Sequence, residues 1–106
     1  MQDGFHYSKA TLSTFQDPKL AFRRRGAPFT FDVDALLGTM LRLKTSPVTN
    51  DGSLVIRAPS FDHATQDPVD NDIPILSSDK IVIVEGNYLL LNECPWNKIA
   101  AMADDT

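Results

Sequence analysis

Apolar positions recur most regularly between residues 29 and 44. In "FTFDVDALLGTMLRLK", Val33, Leu36, Leu37, Met40, Leu41 and Leu43 keep close to a helical period, and Asp32 precedes them as a natural N-cap. Upstream, "DPKLAFRRRG" reads as a short helix with Pro18 in its first turn, Asp17 as its cap and Gly26 as its stop. Pro47 and Asn50-Asp51-Gly52 carry turn chemistry. "LVIRAPSF" at 54–61 is a strand of β-branched residues that Pro59 ends or bends. Residues 62–79 are polar and broken by prolines, which predicts a loop with one short extended piece at 73–76. "KIVIVEG" at 80–86 is apolar without alternation and closes on an acid and a glycine, the pattern of a strand buried on both faces. "NYLLLN" continues apolar, and a helix is expected from about Pro95. Helices alternating with strands argue an α/β fold with a parallel sheet. A doubly wound sheet has about five strands or more, and two convincing strands suggest the middle of something larger.

Composition narrows this picture. A chain of 106 residues fits one domain, able to bury about 60–70% of its unfolded surface. Hydrophobic residues at 42% and charged residues at 23% are those of a globular chain. The net charge of −4 disfavours a nucleic-acid partner, and the basic run Arg23, Arg24, Arg25 is balanced by acids elsewhere. The single cysteine, Cys94, cannot form an internal disulfide, and there is no Asn-x-Ser/Thr sequon. No apolar run approaches the roughly 18 residues of a membrane span, and no signal peptide opens the sequence. The expectation is a soluble cytoplasmic protein with no membrane partner.

Candidate chemistry gathers at predicted strand ends, where open α/β sheets collect functional residues. Glu85 closes the apolar run beside Gly86; it can hold Mg²⁺ or its waters, or simply face solvent or pair with Lys80. Asp3 in "DGFH" would occupy a similar place if a strand preceded it. A carboxylate there can orient an acceptor hydroxyl for phosphoryl transfer; the alternative is an acid in a frayed N-terminal tail. Arg57, Phe61, Asp62 and His63 lie near the end of the other strand and could stack on and hydrogen-bond a polar small molecule, although a loop histidine is commonly a surface group. The three arginines could clamp an anion, or only complement a helix C-terminus. Zinc is not expected, since two histidines and one cysteine lack ligand spacing.

Taken in order, "DGFH … RRRGAPFTFDVDALL … IRAPSFDH … DP … IVIVEGNYLLL … PW" resembles the phosphoribulokinase/uridine kinase group of P-loop kinases over nearly the whole chain. It is most similar to the nucleoside-kinase-like and fructokinase-like proteins of fungi and bacteria. The resemblance implies an α/β P-loop kinase domain, a Rossmann-like parallel sheet with flanking helices, using ATP and Mg²⁺. It makes Asp3 the base for the acceptor hydroxyl. His6, Tyr7, Arg25, Asp32, Arg57, Phe61 and His63 become acceptor-pocket candidates, with helix capping an equal reading for Asp32. Glu85 becomes the acid near the Mg²⁺–ATP phosphates, and Asn87 and Tyr88 line the same wall.

The family's G-x-x-x-x-G-K-[ST] loop, which cradles the ATP phosphates, has no match. None of the five glycines has another glycine five residues on or precedes Lys-Ser/Thr. The family's arginine-bearing lid has no counterpart after Glu85 either. The chain therefore resembles a partial kinase domain, residues 1–106 forming an acceptor-side middle portion incomplete at both ends. The implied function is transfer of the ATP γ-phosphoryl group to a hydroxyl of a small metabolite or nucleoside. Negligible catalysis is expected from this chain alone. The alternative is a non-catalytic, small-molecule-binding or regulatory remnant.

Overall fold

The computed structural model describes residues 1–46 and 54–103. A 3-10 helix at Gln2–Phe5 leads into helix α1 (Lys9–Leu12), helix α2 (Pro18–Arg23), a 3-10 turn at Pro28–Thr30 and helix α3 (Val33–Thr45). Strands β1 (Val55–Asp62) and β2 (Asp67–Leu76) follow, and helix α4 (Lys98–Met102) comes last. The turn predicted at Pro47 and Asn50-Asp51-Gly52 lies outside the described residues.

The helices start where side chains can satisfy their free N–H groups. The Asp17 carboxylate accepts from Leu20 N at 3.1 Å, and the Asp32 carboxylate accepts from Ala35 N at 3.1 Å. Ser8 caps α1 through Thr11 N. After α2 the chain turns at Gly26, whose φ of 100° favours glycine. Along α3, Val33, Leu36, Leu37 and Met40 are buried, while Leu41 is exposed. Their face packs with Phe5, Phe31, Trp96 and Ile99 into the main core.

The sheet departs from the expectation. β1 and β2 form an antiparallel two-stranded hairpin, with Val55 opposite Leu76 and Asp62 opposite Asp67. Residues 67–76, expected to be mostly loop, are therefore a ten-residue strand. Pro68 and Pro74 are compatible with it because both strands are edges, where a residue lacking N–H can face away from the ladder. The register slips between Ala58 and Ser60, around Pro59, and Asn71 opposite takes a φ of 54°. This is a bulge at the proline expected to bend the strand. The hairpin turn is closed by Ala64 N donating to the Asp62 carboxylate at 2.9 Å and Gln66 Nε2 donating to the His63 carbonyl at 2.6 Å.

The apolar run at 81–84 forms no ladder, and Ile81 and Ile83 are 82% and 80% exposed. Val84 alone of the four packs against the main core. The parallel sheet expected from this run is thus not present among the described residues. A β-strand exists only through hydrogen-bonded neighbours, and the run has none here. The α/β class itself stands. At the far end, helix α4 begins three residues later than expected, because a turn through Pro95 and Trp96 precedes it.

Candidate functional site

The N-terminal segment is held in place by the 85–88 segment and by β1. Gln2 is buried; its backbone N donates to the Glu85 carbonyl at 3.2 Å, and its side-chain oxygen accepts from Tyr88 N at 3.1 Å. A Cβ on Gly86 would run into the Gln2 side chain, and one on Gly4 would run into the Pro59 carbonyl. Two glycines thus allow the 2–5 turn to sit against both the 85–88 segment and β1. This brings Asp3 and Glu85 into one region. Asp3 is exposed, and its carbonyl lies 2.6 Å from His6 Nδ1. The Glu85 carboxylate is 3.2 Å from the Met1 ammonium.

His6 lies in contact with two rings, its centroid 4.2 Å from Phe31 and 4.5 Å from Phe61. Its backbone bridges to Phe31. His63 meets the other side of this group edge-on, 5.1 Å from Phe61. Arg25 lies over Phe61 at 5.5 Å, a cation–π distance. Its Nη2 donates to the Tyr7 carbonyl at 3.1 Å and the Asp67 carboxylate at 3.0 Å, and its Nη1 donates to the Gln66 carbonyl. Asp67 also accepts from Lys9 N at 2.9 Å. The Lys9 amide lowers the Asp67 carboxyl below its ordinary value; desolvation opposes it as the next largest effect, and the Arg25 guanidinium adds to the lowering.

Asp32 caps α3, and its N–H donates to the Phe5 carbonyl at 2.7 Å. Tyr7 packs edge-on against Phe15 at 5.5 Å; burial first, then the charges of Asp32 and Asp34, push its hydroxyl pKa up. Tyr88 donates its hydroxyl to the Gly26 carbonyl at 2.9 Å and packs edge-on against Phe31 and Trp96. Arg57 is exposed on the half of the hairpin beyond the bulge, opposite Pro74, and Asn87 is exposed. The structure therefore brings His6, Phe61, His63 and Arg25 together beside the Asp3 turn. Glu85 joins that region through Gln2, whereas Arg57 lies apart from the aromatic group.

Four residues with clear roles were not singled out from the sequence: Gln2, Lys9, Phe31 and Asp67. Phe31 lay in the quoted "FTFD" segment, and its aromatic character beside a candidate acid was the available signal. Gln2 acts through a partner 83 positions away, and Lys9 and Asp67 through each other across 58 positions, which local pattern does not reveal. For Mg²⁺, Glu85 is the one candidate carboxylate, and no group of three potential metal-binding side chains exists among the described residues. That one exposed carboxylate, 3.2 Å from the Met1 ammonium, could contribute a single ligand to an ion held mainly by phosphates and water. No helix among the described residues is long and apolar enough to cross a membrane.

No family model matches the chain. An ATP-dependent kinase-like protein of Aspergillus versicolor is 41% identical over 98% of this chain and 59% of its own length. A candidate uridine kinase of Schizosaccharomyces pombe is 44% identical over 96% of this chain and 41% of its own length. Among solved structures, Saccharomyces cerevisiae YFH7, described as a candidate P-loop kinase with a circular permutation, superposes with a TM-score of 0.84. It is 34% identical, and the match covers 95% of this chain and 36% of that one. A candidate fructose transport system kinase from Silicibacter gives a TM-score of 0.80 at 28% identity, over 95% of this chain and 44% of its own. The chain thus spans less than two thirds of each of these proteins, from 36% to 59%.

Proposed function

The chain is a relative, in sequence and in fold, of ATP-dependent P-loop kinases, and we propose that it supplies the acceptor-side part of such an enzyme. The reaction is transfer of the ATP γ-phosphoryl group to a hydroxyl of a small metabolite or nucleoside. Asp3 orients that hydroxyl and accepts its proton. His6, Phe31, Phe61 and His63 supply the flat faces and ring nitrogens that hold the acceptor, and Glu85 assists Mg²⁺. Tyr7, Arg25 and Asp32 shape the pocket from behind, Asn87 and Tyr88 belong to the wall beside Glu85, and Arg57, farther along the hairpin, lies outside the pocket. The observation that carries this reading is the aromatic group centred on His6, 4.5 Å from Phe61 and hydrogen-bonded to the Asp3 turn. The kinase relatives support the reaction class, and a uridine kinase and a fructose transport kinase among them support nucleosides and sugars as the first acceptors to try.

Phosphoryl transfer depends on positioning and charge neutralisation, and the 106-residue sequence contains no G-x-x-x-x-G-K-[ST] loop to hold the nucleotide. A second reading is a module that binds the acceptor without catalysis. One titration addresses the pocket common to both. Uridine and fructose, added separately to isotope-labelled chain, are expected to shift the His6, Phe61 and His63 resonances, and Phe61→Ala abolishes the response. Shifts absent from all three residues with both ligands would contradict the acceptor assignment.

A further inference from the structure

An open cleft of about 500 Å³ borders Phe31 and is lined by none of His6, Phe61 or His63. Its volume is within the range of small-molecule sites, about 300–1,000 Å³. Phe31 and Trp96, 5.8 Å apart and both buried, make a fixed aromatic wall. Phe29 also lines the cleft with 47% of its surface exposed, an apolar face that no other part of the described chain covers. Arg24, after α2, Asp34, in the first turn of α3, and Glu93, before Pro95, bring both signs of charge to the same lining. The ion pairs among the described residues are Met1–Glu85 and Arg25–Asp67, so none of these three charges is engaged in one.

We infer that this cleft binds a small zwitterion with a flat apolar body, the chemical class of the aromatic amino acids. The ring lies against Phe29 and the Phe31–Trp96 wall, where edge and face contacts between aromatic rings are favourable. The ligand carboxylate meets the Arg24 guanidinium, which matches a carboxylate in shape and charge. The ligand ammonium meets Asp34 and Glu93. Two acids against one arginine make the lining net negative, which disfavours phosphate-bearing ligands and favours one with a cationic group. Tyr7 lines the same cleft and, with its hydroxyl pKa raised, presents an O–H donor. The inference shares Phe31 and Tyr7 with the kinase reading, but Arg24, Asp34 and Glu93, which carry it, play no part there.

The test is a chemical-shift titration of the 106-residue chain with L-phenylalanine, phenethylamine and 3-phenylpropanoate as separate probes. L-Phenylalanine is expected to saturate shifts at Phe29, Asp34 and Trp96, with each half-charged probe about fivefold weaker. Arg24→Gln is expected to erase the advantage over phenethylamine, and Asp34→Asn combined with Glu93→Gln the advantage over 3-phenylpropanoate. All three positions are exposed, so an unchanged spectrum of the free variants confirms the fold. Equal affinity for all three probes, shifts confined to Phe61 and His63, or no saturable shift with any probe would each overturn the assignment.

Discussion

Arg25 joins three parts of the chain: the Tyr7 carbonyl behind the 3-10 turn, the Gln66 carbonyl in the hairpin turn, and the Asp67 carboxylate at the start of β2. Its planar fork suits several acceptors at once. Arg25→Ala is expected to lower stability by about 1–3 kcal/mol through loss of the carbonyl bonds, and Arg25→Lys to recover little of it; chemical denaturation measures both. Asp67 gives a second expectation. Its carboxyl titrates below the ordinary 3.8 in the folded chain. The stabilisation is therefore complete above the unfolded value and is lost as pH falls through the folded one. Asp67→Asn should reduce the slope of that acid limb of the stability–pH curve while leaving the slope above pH about 5 unchanged. A further residue-scale expectation concerns Gly4. Gly4→Ala places a methyl against the Pro59 carbonyl, and a loss of about 1–3 kcal/mol is expected from overpacking, visible as a lower melting temperature.

At the scale of elements, α3 is the most self-consistent piece: it has a cap, an apolar face and a buried partner surface. Asp32→Ala should cost about 1 kcal/mol and reduce helicity, and Asp32→Ser should restore both. If Asp32 also contacts the acceptor, Asp32→Ser keeps stability yet weakens acceptor binding, which separates its two roles. This helix was legible because cap and period are local properties, as they were for α2 with Asp17 and Pro18. β1 was legible through its β-branched residues, and Pro59 does interrupt its register. β2 was not legible. Asp70, Asn71 and Asp72 and two prolines resemble loop composition, and only pairing with β1 makes them a strand. The 81–84 run failed in the opposite sense: its composition is that of a buried strand, but composition cannot supply a neighbour. In the candidate site, the resemblance pointed to His6, Phe61 and His63, whereas the contact of Phe31 with His6 and the Lys9–Asp67–Arg25 junction required the three-dimensional fold.

For the whole molecule, packing is uneven. The radius of gyration is 14.8 Å, against about 13 Å for a compact chain of this length. Ile81, Ile83 and Leu90 are each more than 70% exposed. An apolar run with unpaired backbone groups invites association through its edges. The chain is therefore expected to self-associate with rising concentration, and Ile81→Lys combined with Ile83→Lys to suppress this in sedimentation velocity. The kinase relatives are considerably longer than this chain, and phosphoryl transfer requires a nucleotide cradle that its 106 residues do not encode as a G-x-x-x-x-G-K-[ST] loop. The proposed function is that the chain carries the acceptor side of a kinase and does not transfer phosphate unaided. Transfer of the ATP γ-phosphoryl group to uridine and fructose, assayed with the purified chain beside Asp3→Asn, tests this most directly. The account predicts no transfer above the level of that variant, and clear turnover that Asp3→Asn abolishes would contradict it.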